Sequence, residues 1–393
     1  MAINEKRVAL YIRNFEKALD GYAKNEPLAR YLTRFFKENK QMGSSDRRMT
    51  SRFIYNFFRL GNALKHLSNT DKLVYAEFLC ESESALVSLY LPDIAQHISK
   101  SVPEKISLLE STIGFNLEDV FPFVDHLSEG IDTEQFICSH FTQPDLFIRI
   151  KRGDEDFVAT ALEQKEVNYT AISRNTFALS NGFRMQDFPS LKGKYEVQDL
   201  SSQHTINFMD ANAGESWWDA CAASGGKALM FLDKYPNTNL LVSDIRLSIL
   251  RNLNERFEHA NVKAPKRQKI MDLTTDTQSI LGDEKFDGII LDVPCSGSGT
   301  WGRTPEMIQH FSKEKLDEFT TLQKSIASNV IKHLKKSAPL VYMTCSVYAE
   351  ENENMVRYLV DQFGLQIEKM ELIKGYHNCA DSMFAARLIN HPV

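Results

Sequence analysis

The sequence contains no apolar run approaching the roughly 20 residues that a membrane-spanning helix needs. Residues 1–20 also lack the apolar stretch of a secretory signal peptide. The six cysteines are widely spaced and form no Cys-x-x-Cys pair, which argues against a disulfide framework and against a zinc site. Internal repeats and low-complexity linkers are also missing. These absences favour a globular cytoplasmic protein that has no structural metal and does not associate with membranes.

A positive overall charge, which is common among nucleic-acid-binding proteins, is missing as well. The 393 residues include 46 Lys or Arg and 52 Asp or Glu, for a net charge of −6. The charge is unevenly distributed, because residues 1–70 hold 14 basic and 6 acidic side chains whereas residues 71–140 hold 3 and 13. The composition therefore excludes a uniformly basic protein but leaves a local basic face. Its members include Arg30, Arg34, Lys37, Lys40, Arg47 and Arg48.

The length predicts two or three domains. Up to about residue 140, apolar residues recur every three or four positions, as in Val8, Tyr11 and Phe15, which predicts amphipathic helices. The third of these stripes runs on from Phe53 to Leu67, and Ser44, Ser45 and Asp46 precede it as candidate N-caps.

After residue 142 the pattern changes twice. Segments 145–152, 155–167 and 169–180 predict a strand, a helix and a strand, and thus a small α+β module. From residue 194 onward, strand-like and helical segments alternate, which predicts a doubly wound, mostly parallel sheet.

Four strands of this predicted sheet end in polar or reactive side chains. In such sheets, ligands bind in the crevice beyond the carboxyl ends of the strands. Because all four strands share this feature, we expect one functional rim. Its residues are Asp219 and Cys221, Asp244, Asp292 with Cys295, and Thr344 with Cys345.

The first of these strands continues into the loop CAASGGK, residues 221–227. Gly225 and Gly226 allow a ligand to approach the backbone where free N–H groups at a helix start attract anions, and Lys227 can pair with an acidic group. Asp244 follows at the end of the next strand, where an acidic side chain binds the ribose hydroxyls of a nucleotide-like cofactor. The loop matches neither GxGxxG nor GxxxxGK[ST]. A nucleoside with a small charged tail therefore fits better than NAD or ATP.

Asp272 follows the strand-like segment QKIM and has two interpretations. Its carboxylate can reach the base of the cofactor, or it can cap a helix in the following LTTDTQSIL. The sequence leaves both open.

Cys295 and Cys345 both lie where a strand ends beside a turn or helix. The dipole of a helix N-terminus favours the thiolate form of a cysteine. Two such cysteines at one rim predict covalent catalysis, with a redox pair as the alternative. Cys80, Cys138 and Cys379 lack this context and are expected to be structural.

Together these motifs resemble those of the RsmB/Sun family of RNA (cytosine-carbon-5) methyltransferases, which use S-adenosylmethionine. The similarity extends over residues 194–390. The family motifs CAAPGGK, DAPCSG, TCS, EENE and VQDxxSQ correspond here to CAASGGK (221–227), LDVPCSG (291–297), Thr344–Ser346, EENE (350–353) and VQDLSSQ (197–203).

The resemblance implies an α/β fold in three parts. A Rossmann-like S-adenosylmethionine-dependent methyltransferase domain is expected at 194–393. Residues 1–141 resemble, more weakly, an all-α NusB-like RNA-binding domain, and residues 142–193 a small α+β, RRM-like module. In such a protein the basic face of the first helices is expected to dock RNA phosphates. We expect a cytoplasmic monomer whose partner is RNA.

The resemblance also implies residue roles. Cys345 is expected to add to carbon 6 of a cytosine, which makes carbon 5 reactive toward a methyl group. Cys295 is expected to assist loss of the carbon-5 proton and release of the product, and Asp292 to bind the ring nitrogen and amino group. The implied cofactor contacts are Cys221, Ala222, Ala223, Ser224, Gly225, Gly226, Lys227, Asp244, Asp272 and Asp292.

Two departures from the family pattern occur: Ser224 replaces the loop proline, and Val293 replaces the alanine before Pro294. Neither removes a reacting group. The helical N-terminal part favours 16S ribosomal RNA over transfer RNA as the substrate. The alternative without catalysis is an RNA-binding ribosome-assembly factor, which the intact cysteines, lysine and acidic residues disfavour.

Overall fold

A computed structural model describes residues 4–391. The α-helices of this part are α1 (Glu5–Asp20), α2 (Leu28–Glu38), α3 (Ser44–Arg59), α4 (Asn69–Cys80), α5 (Ala85–Tyr90), α6 (Pro92–Ala95), α7 (Val102–Ile113), α8 (Thr133–Ser139), α9 (Glu155–Glu163), α10 (Leu200–His204), α11 (Gly226–Lys234), α12 (Leu247–His259), α13 (Gln278–Leu281), α14 (Glu306–His310), α15 (Lys313–Val330) and α16 (Glu353–Phe363). The strands are β1 (Leu146–Ile150), β2 (Tyr169–Ser173), β3 (Thr176–Leu179), β4 (Tyr195–Val197), β5 (Ser216–Asp219), β6 (Asn239–Asp244), β7 (Arg267–Ile270), β8 (Gly288–Asp292), β9 (Pro339–Thr344), β10 (Gln366–Ile373) and β11 (Met383–Ile389).

The chain forms two compact units. The first contains the residues up to Asp125 together with Ile131–Gln143 and Thr300–Ser312. The second contains His126–Gly130, Pro144–Gly299 and the residues from Lys313 onward. The boundaries expected at residues 141 and 193 stay predictions.

The first unit is helical, and the apolar stripes predicted for its first helices are buried, as at Val8, Tyr11 and Phe15. Phe15 packs its ring against Phe53 and Phe57 of α3. The third stripe is helical only to Arg59, because a turn with positive φ at Gly61 follows.

The start of α3 also differs from expectation. Ser44, Ser45 and Asp46 lie inside the helix and are not its N-cap, which is Gly43. The Asp46 carboxylate accepts a hydrogen bond from the Gly43 backbone N–H at 3.2 Å, so it satisfies one of the free donors at the helix start.

Residues 300–312 belong to the helical unit although they lie between β8 and β9 in sequence. Arg59 is 2% exposed and donates to the Gly302 carbonyl at 2.9 Å. The Glu306 carboxylate accepts from the Leu28 backbone N–H at the start of α2, at 3.0 Å. From the sequence this segment was expected in the catalytic part, because long-range contacts of this kind leave no periodic pattern.

The second unit contains a small antiparallel sheet with the order β2-β3-β1-β4. The strand predicted over residues 169–180 is wrong as one strand, because the chain reverses at Arg174 and Asn175 to form the β2–β3 hairpin. Strand β4, which was expected in the catalytic part, pairs with β1. Its three residues are too few to show an alternating pattern.

Apolar side chains cover both faces of the small sheet at β1 and β3, whereas residues 170–173 of β2 are exposed. On one face, Ile148 and Phe177 pack with Val158 and Leu162 of α9. On the other face, Phe147 and Ala178 pack with Leu200 and Ala380 from the rest of the unit.

The large sheet of the second unit has the order β10-β11-β9-β8-β5-β6-β7. The pairs from β9 through β7 are parallel, whereas β11 is antiparallel to β9 and to β10. This confirms the predicted doubly wound, mostly parallel sheet. Successive strand residues such as Trp217 and Trp218 point into two separate buried clusters, one on each face.

Within the described residues, none of the helices has both the length and the apolar character required to cross a membrane.

Candidate active site

The four strands predicted to share a functional rim do so. Strands β6, β5, β8 and β9 are adjacent and parallel, so their carboxyl ends meet at one edge of the sheet. Asp244, Asp219, Asp292 and Thr344 are the last residues of these strands. From β5, the strands β6 and β7 continue the sheet on one side, and the later strands β8 and β9 lie on the other side. In open α/β sheets, ligands bind at such a switch point, here between β5 and β8.

The loop between β5 and α11 folds back tightly on itself. The Ala222 N–H donates to the Ser243 carbonyl at 2.9 Å, and the Gly225 N–H donates to the Ala222 carbonyl at 2.8 Å. Gly225 has φ +81°, and a Cβ there would lie 2.6 Å from Leu253 Cγ. Both facts require glycine at this position, which leaves the backbone N–H groups at the start of α11 open to a ligand.

Ser224, the residue in place of the loop proline, accepts a hydrogen bond from Arg256 at 3.4 Å. Arg256 also donates to the Glu196 carboxylate at 2.8 Å. The serine hydroxyl thus adds a polar contact between the loop and α12 where a proline would have none.

Lys227 and Asp292 form an ion pair across the rim. The distance from Lys227 Nζ to Asp292 Oδ2 is 2.6 Å, and the lysine side chain is 14% exposed. Burial opposes the charge of Lys227, but the neighbouring acidic groups, Asp292 first among them, together outweigh burial and raise the lysine pKa above its usual value. The lysine is therefore a fixed positive charge that orients Asp292.

Asp219 is the most unusual carboxyl group of the site. It is 1% exposed, and neither carboxylate oxygen has a hydrogen-bond partner among the described residues. Burial raises its pKa to about 8, Asp292 adds to the rise, and Lys227 opposes it. A buried acidic group without a partner is costly, which indicates that a ligand supplies the missing donor.

Cys221 lies next to this carboxyl group, and its thiol stays protonated. Burial raises its pKa well above the usual value, and the carboxylates of Asp219, Asp292 and Asp244 add to the effect. Cys221 is thus a lining residue without a charge.

Asp244 is 7% exposed at the end of β6, and its carboxylate accepts hydrogen bonds from the Arg246 backbone N–H at 2.9 Å and from Arg246 Nε at 3.2 Å. Asp272 instead accepts from the backbone N–H and hydroxyl of Thr274, at 2.9 and 2.6 Å, and the hydroxyl bond lowers its pKa. The helix-cap interpretation of Asp272 is wrong, since α13 begins only at Gln278. Its contact with a cofactor stays a prediction.

Cys295 and Cys345 face each other at the rim, with their sulfur atoms 3.3 Å apart. The hydrogen bond with Cys345, followed by burial and the Glu351 charge, raises the pKa of Cys295 well above the usual value. Cys295 is therefore a thiol that can donate to the neighbouring sulfur.

A buried polar network holds the two cysteine-bearing segments together. The Glu351 carboxylate accepts from the Ser296 backbone N–H at 2.9 Å and from its hydroxyl at 2.5 Å. Gln323 donates to the same carboxylate at 2.9 Å. The Gly299 N–H donates to the Cys345 carbonyl at 2.9 Å, so the segment after Cys295 is fixed directly to the second cysteine.

Glu351 and Ser296 were not assigned to the site from the sequence, and Asp219 was placed on the rim without a ligand role. The acidic run at 350–353 and the aspartate ending β5 were visible signals. The sequence could not show that these carboxyl groups are buried. Glu351 is 0% exposed and Asp219 is 1% exposed.

Comparison with known proteins identifies a family for the part of the chain that contains this site. A family model described as 16S rRNA methyltransferase RsmB/F matches residues 206–388. This part of the chain is an RsmB/F-family methyltransferase domain. The RsmB/F match contains the 221–227 loop, both cysteines and all four strands of the rim, and it confirms the resemblance inferred from the motifs.

The curated relatives of the RsmB/F domain include the ribosomal RNA small subunit methyltransferases B of Serratia proteamaculans and Shewanella oneidensis. The first is 31% identical over 229 residues, which cover 57% of this chain and 52% of the relative. The second is 27% identical over 272 residues, covering 65% and 63%. The matches thus span between half and two thirds of each relative.

Solved structures confirm the fold around the RsmB/F domain. PH0851 covers 97% of this chain and 98% of its own, with a TM-score of 0.72 at 18% identity. NSun6 from Pyrococcus horikoshii, solved with SFG, covers 67% of this chain and 95% of its own, with a TM-score of 0.58 at 16% identity. The fold is an α/β, Rossmann-like methyltransferase with a helical N-terminal region. The narrower NusB-like and RRM-like assignments stay predictions.

Proposed function

We propose that this protein transfers the methyl group of S-adenosylmethionine to carbon 5 of a cytosine in RNA, with 16S ribosomal RNA as the substrate. The observation that carries the proposal is the pair of sulfur atoms 3.3 Å apart on adjacent strand ends, beside the Lys227–Asp292 ion pair. The family names of the relatives agree with this chemistry. A cytoplasmic location, in which ribosomal RNA is accessible, goes with it.

The residues of the rim fit S-adenosylmethionine. Its ammonium group would supply the donor that the buried Asp219 lacks. Asp244 would accept from the ribose hydroxyls, and the open N–H groups of the 221–227 loop would bind the carboxylate. When bound, the cofactor supplies an electrophilic methyl group at a positively charged sulfur.

Cys345 is the proposed nucleophile. Carbon 5 of cytosine reacts poorly with an electrophile until a thiolate adds to carbon 6, which turns the ring into an enamine. The Cys345 sulfur forms the bond to carbon 6, and the electron pair of the carbon 5–carbon 6 double bond becomes available at carbon 5.

Cys295 then acts as the base. Its raised pKa depends first on the hydrogen bond with Cys345, and that bond is lost when the Cys345 sulfur attaches to carbon 6. The pKa of Cys295 would consequently fall and its own proton would pass to solvent, so that the resulting thiolate would remove the carbon-5 proton after methylation. The resulting electron pair re-forms the double bond and expels Cys345.

Asp292 would select cytosine over uracil. Its carboxylate is oriented by Lys227 and would face the ring nitrogen and amino group, which in cytosine present a different pattern from uracil. A base inside a helix cannot reach such a pocket, so a single-stranded or loop nucleotide is required.

The direct test is transfer of radiolabelled methyl groups to 16S ribosomal RNA and to transfer RNA, followed by bisulfite sequencing of the labelled RNA. Incorporation at one cytosine of the small-subunit RNA is expected. Labelling of transfer RNA alone would show that transfer RNA, and not 16S ribosomal RNA, is the substrate. Binding of RNA and cofactor without transfer would identify a non-catalytic assembly factor.

Asp219 predicts a pH dependence of cofactor binding. With a pKa of about 8, the carboxyl group is neutral at pH 6 in the free protein, and a cationic ligand favours its ionised form. Binding below pH 8 must therefore release a proton, so affinity should rise about tenfold per pH unit between about pH 5.5 and 7. Calorimetric titration with S-adenosylmethionine measures this. Asp219→Asn should bind with an affinity independent of pH in this range; an unchanged slope in the variant would exclude Asp219 as the titrating group.

The basic face of the first helices predicts a separate effect on RNA. Arg48 is exposed, and the Arg47 side chain has the Met42 backbone carbonyl as its only acceptor within residues 4–391. Reversal of both charges to Glu should lower RNA affinity about tenfold at low salt and reduce the salt dependence by about 1.4 log units per log unit of salt, since each single-strand phosphate contact contributes about 0.7.

Fluorescence anisotropy with a labelled RNA measures this effect, and cofactor affinity should not change. The exposed pair Lys100 and Lys336, likewise reversed to Glu, provides a control of equal charge change. Equal losses in both variants would show that the effect is one of total charge, without a docking face.

A further inference from the structure

A second site-sized cavity lies in the second unit between the small sheet and helices α10 and α11. Its volume is about 710 Å³, within the range of about 300–1,000 Å³ that is usual for pockets holding a small organic ligand. The hairpin turn of β2–β3 and the end of β1 form one side, and Gln203 and Lys234 lie on the other. None of its lining residues belongs to the rim described above.

The charge of the cavity is positive where it is open. Arg152 and Arg174 are exposed at its edge, and neither has an ion-pair partner among the residues that the structure describes. Lys234 contacts the Ile206 carbonyl at 3.5 Å but no described carboxylate. Asp233 pairs with Arg149, and Glu155 accepts from the Gly153 N–H. The lining therefore carries more positive than negative side chains, namely Arg149, Arg152, Arg174 and Lys234 against Glu155 and Asp233.

Arg149 gives the cavity a fixed wall. It is 8% exposed, its Nε donates to Gln198 at 3.0 Å, and its Nη1 donates to Asp233. The hydrogen bonds to Gln198 and Asp233 fix the position of the Arg149 guanidinium. Its Nη2 has no acceptor among the described residues. A buried arginine with an unused donor is suited to bind an anion that enters the cavity.

The central strands β1 and β3 of the small sheet offer no open surface for stacked bases. One face is filled by α9 and the other by Leu200 and Ala380, as described above. An RNA that contacts this module therefore meets the exposed edge strand β2 and the loops, where Arg152 and Arg174 lie. Ile172, which is 42% exposed beside Arg174, is the apolar surface available there.

The cavity and the cofactor loop are joined by one helix. Helix α11 begins at Gly226 and ends at Lys234, a length of about 12 Å at 1.5 Å per residue. At the spacing of about 3.4 Å per nucleotide in a stacked strand, this distance corresponds to about four nucleotides. One RNA strand can thus reach both places.

We propose that this cavity binds phosphates of the single-stranded RNA that flanks the target cytosine, through Arg152, Arg174 and Arg149. The inference rests on the proposed function, because it assumes an RNA substrate. Its role is to hold the strand next to the methylated position and to add affinity that does not depend on base sequence.

The test uses the full chain and a labelled 12-nucleotide single-stranded RNA containing the methylated position. In the double variant Arg152→Glu/Arg174→Glu, anisotropy should show at least tenfold weaker RNA binding and a salt dependence reduced by about 1.4 log units per log unit of salt. S-adenosylmethionine affinity should be unchanged. Lys165→Glu/Lys266→Glu, two exposed residues outside the cavity, is the matched control and should retain nearly all RNA affinity.

The outcomes separate the cavity from the function. Wild-type protein that binds and methylates RNA, together with a cavity variant that behaves like the control, would overturn the cavity site alone. Wild-type protein that neither binds nor methylates RNA would overturn the proposed function and the site with it. A variant with normal RNA binding but weakened binding of free adenosine monophosphate would assign the cavity to a small anion and contradict the proposal.

Discussion

Cys345→Ala should reduce methyl transfer by at least about 10⁴-fold, the scale on which enzymes lose activity without their covalent nucleophile. The sulfur that adds to carbon 6 is then missing, and no other described cysteine lies at the end of β9. Folding should not suffer, because the substitution removes one sulfur from a side chain that lies partly exposed at the rim. Transfer of labelled methyl groups to RNA under single-turnover conditions measures the loss.

Cys379→Ala is the matched control for this substitution. Cys379 is exposed, has left-handed backbone geometry and lies in a loop outside the rim, so its replacement should leave the rate within about twofold. S-adenosylmethionine affinity should stay unchanged in both variants. Full turnover by Cys345→Ala would remove this residue from the mechanism.

Unlike Cys345→Ala, the variant Cys295→Ala should still react with RNA but should be unable to release it. Addition of Cys345 and methylation still proceed, but the base that removes the carbon-5 proton is missing. The enzyme then stays bonded to carbon 6 of the methylated base. A band of protein joined to RNA that survives denaturing electrophoresis should appear with S-adenosylmethionine present.

The double variant Cys295→Ala/Cys345→Ala is the control for this trapping. It retains the same changed environment at position 295 but lacks the attacking sulfur, 3.3 Å away in the native pair. No denaturation-resistant band should form. If it did form, the attachment would come from another nucleophile.

Much of the catalytic sheet was predictable because parallel strands leave a strong local pattern. The strands ending at Asp219, Asp244, Asp292 and Thr344 are each buried apolar runs followed by a polar residue, and the structure places all four at one edge. Motif spacing then located the 221–227 loop and the two cysteines.

The parts that were missed depend on contacts distant in sequence. Burial of Asp219 without a partner, the Glu351 network and the packing of residues 300–312 around Arg59 all require knowledge of which residues meet. The β2–β3 hairpin was missed for a local reason, because Arg174 and Asn175 form a turn without glycine or proline. Asp272 shows the same limit, since its acceptor role toward Thr274 depends on a backbone turn.

The central claim, a covalent bond between Cys345 and carbon 6 of the target cytosine, is tested most directly by peptide mapping of the adduct trapped in Cys295→Ala. Nuclease and protease digestion followed by tandem mass spectrometry identifies the modified residue and the base. The mechanism predicts a 5-methylcytosine nucleotide attached to the sulfur of Cys345. Attachment to any other residue, or an enzyme that turns over without a covalent intermediate, would contradict it.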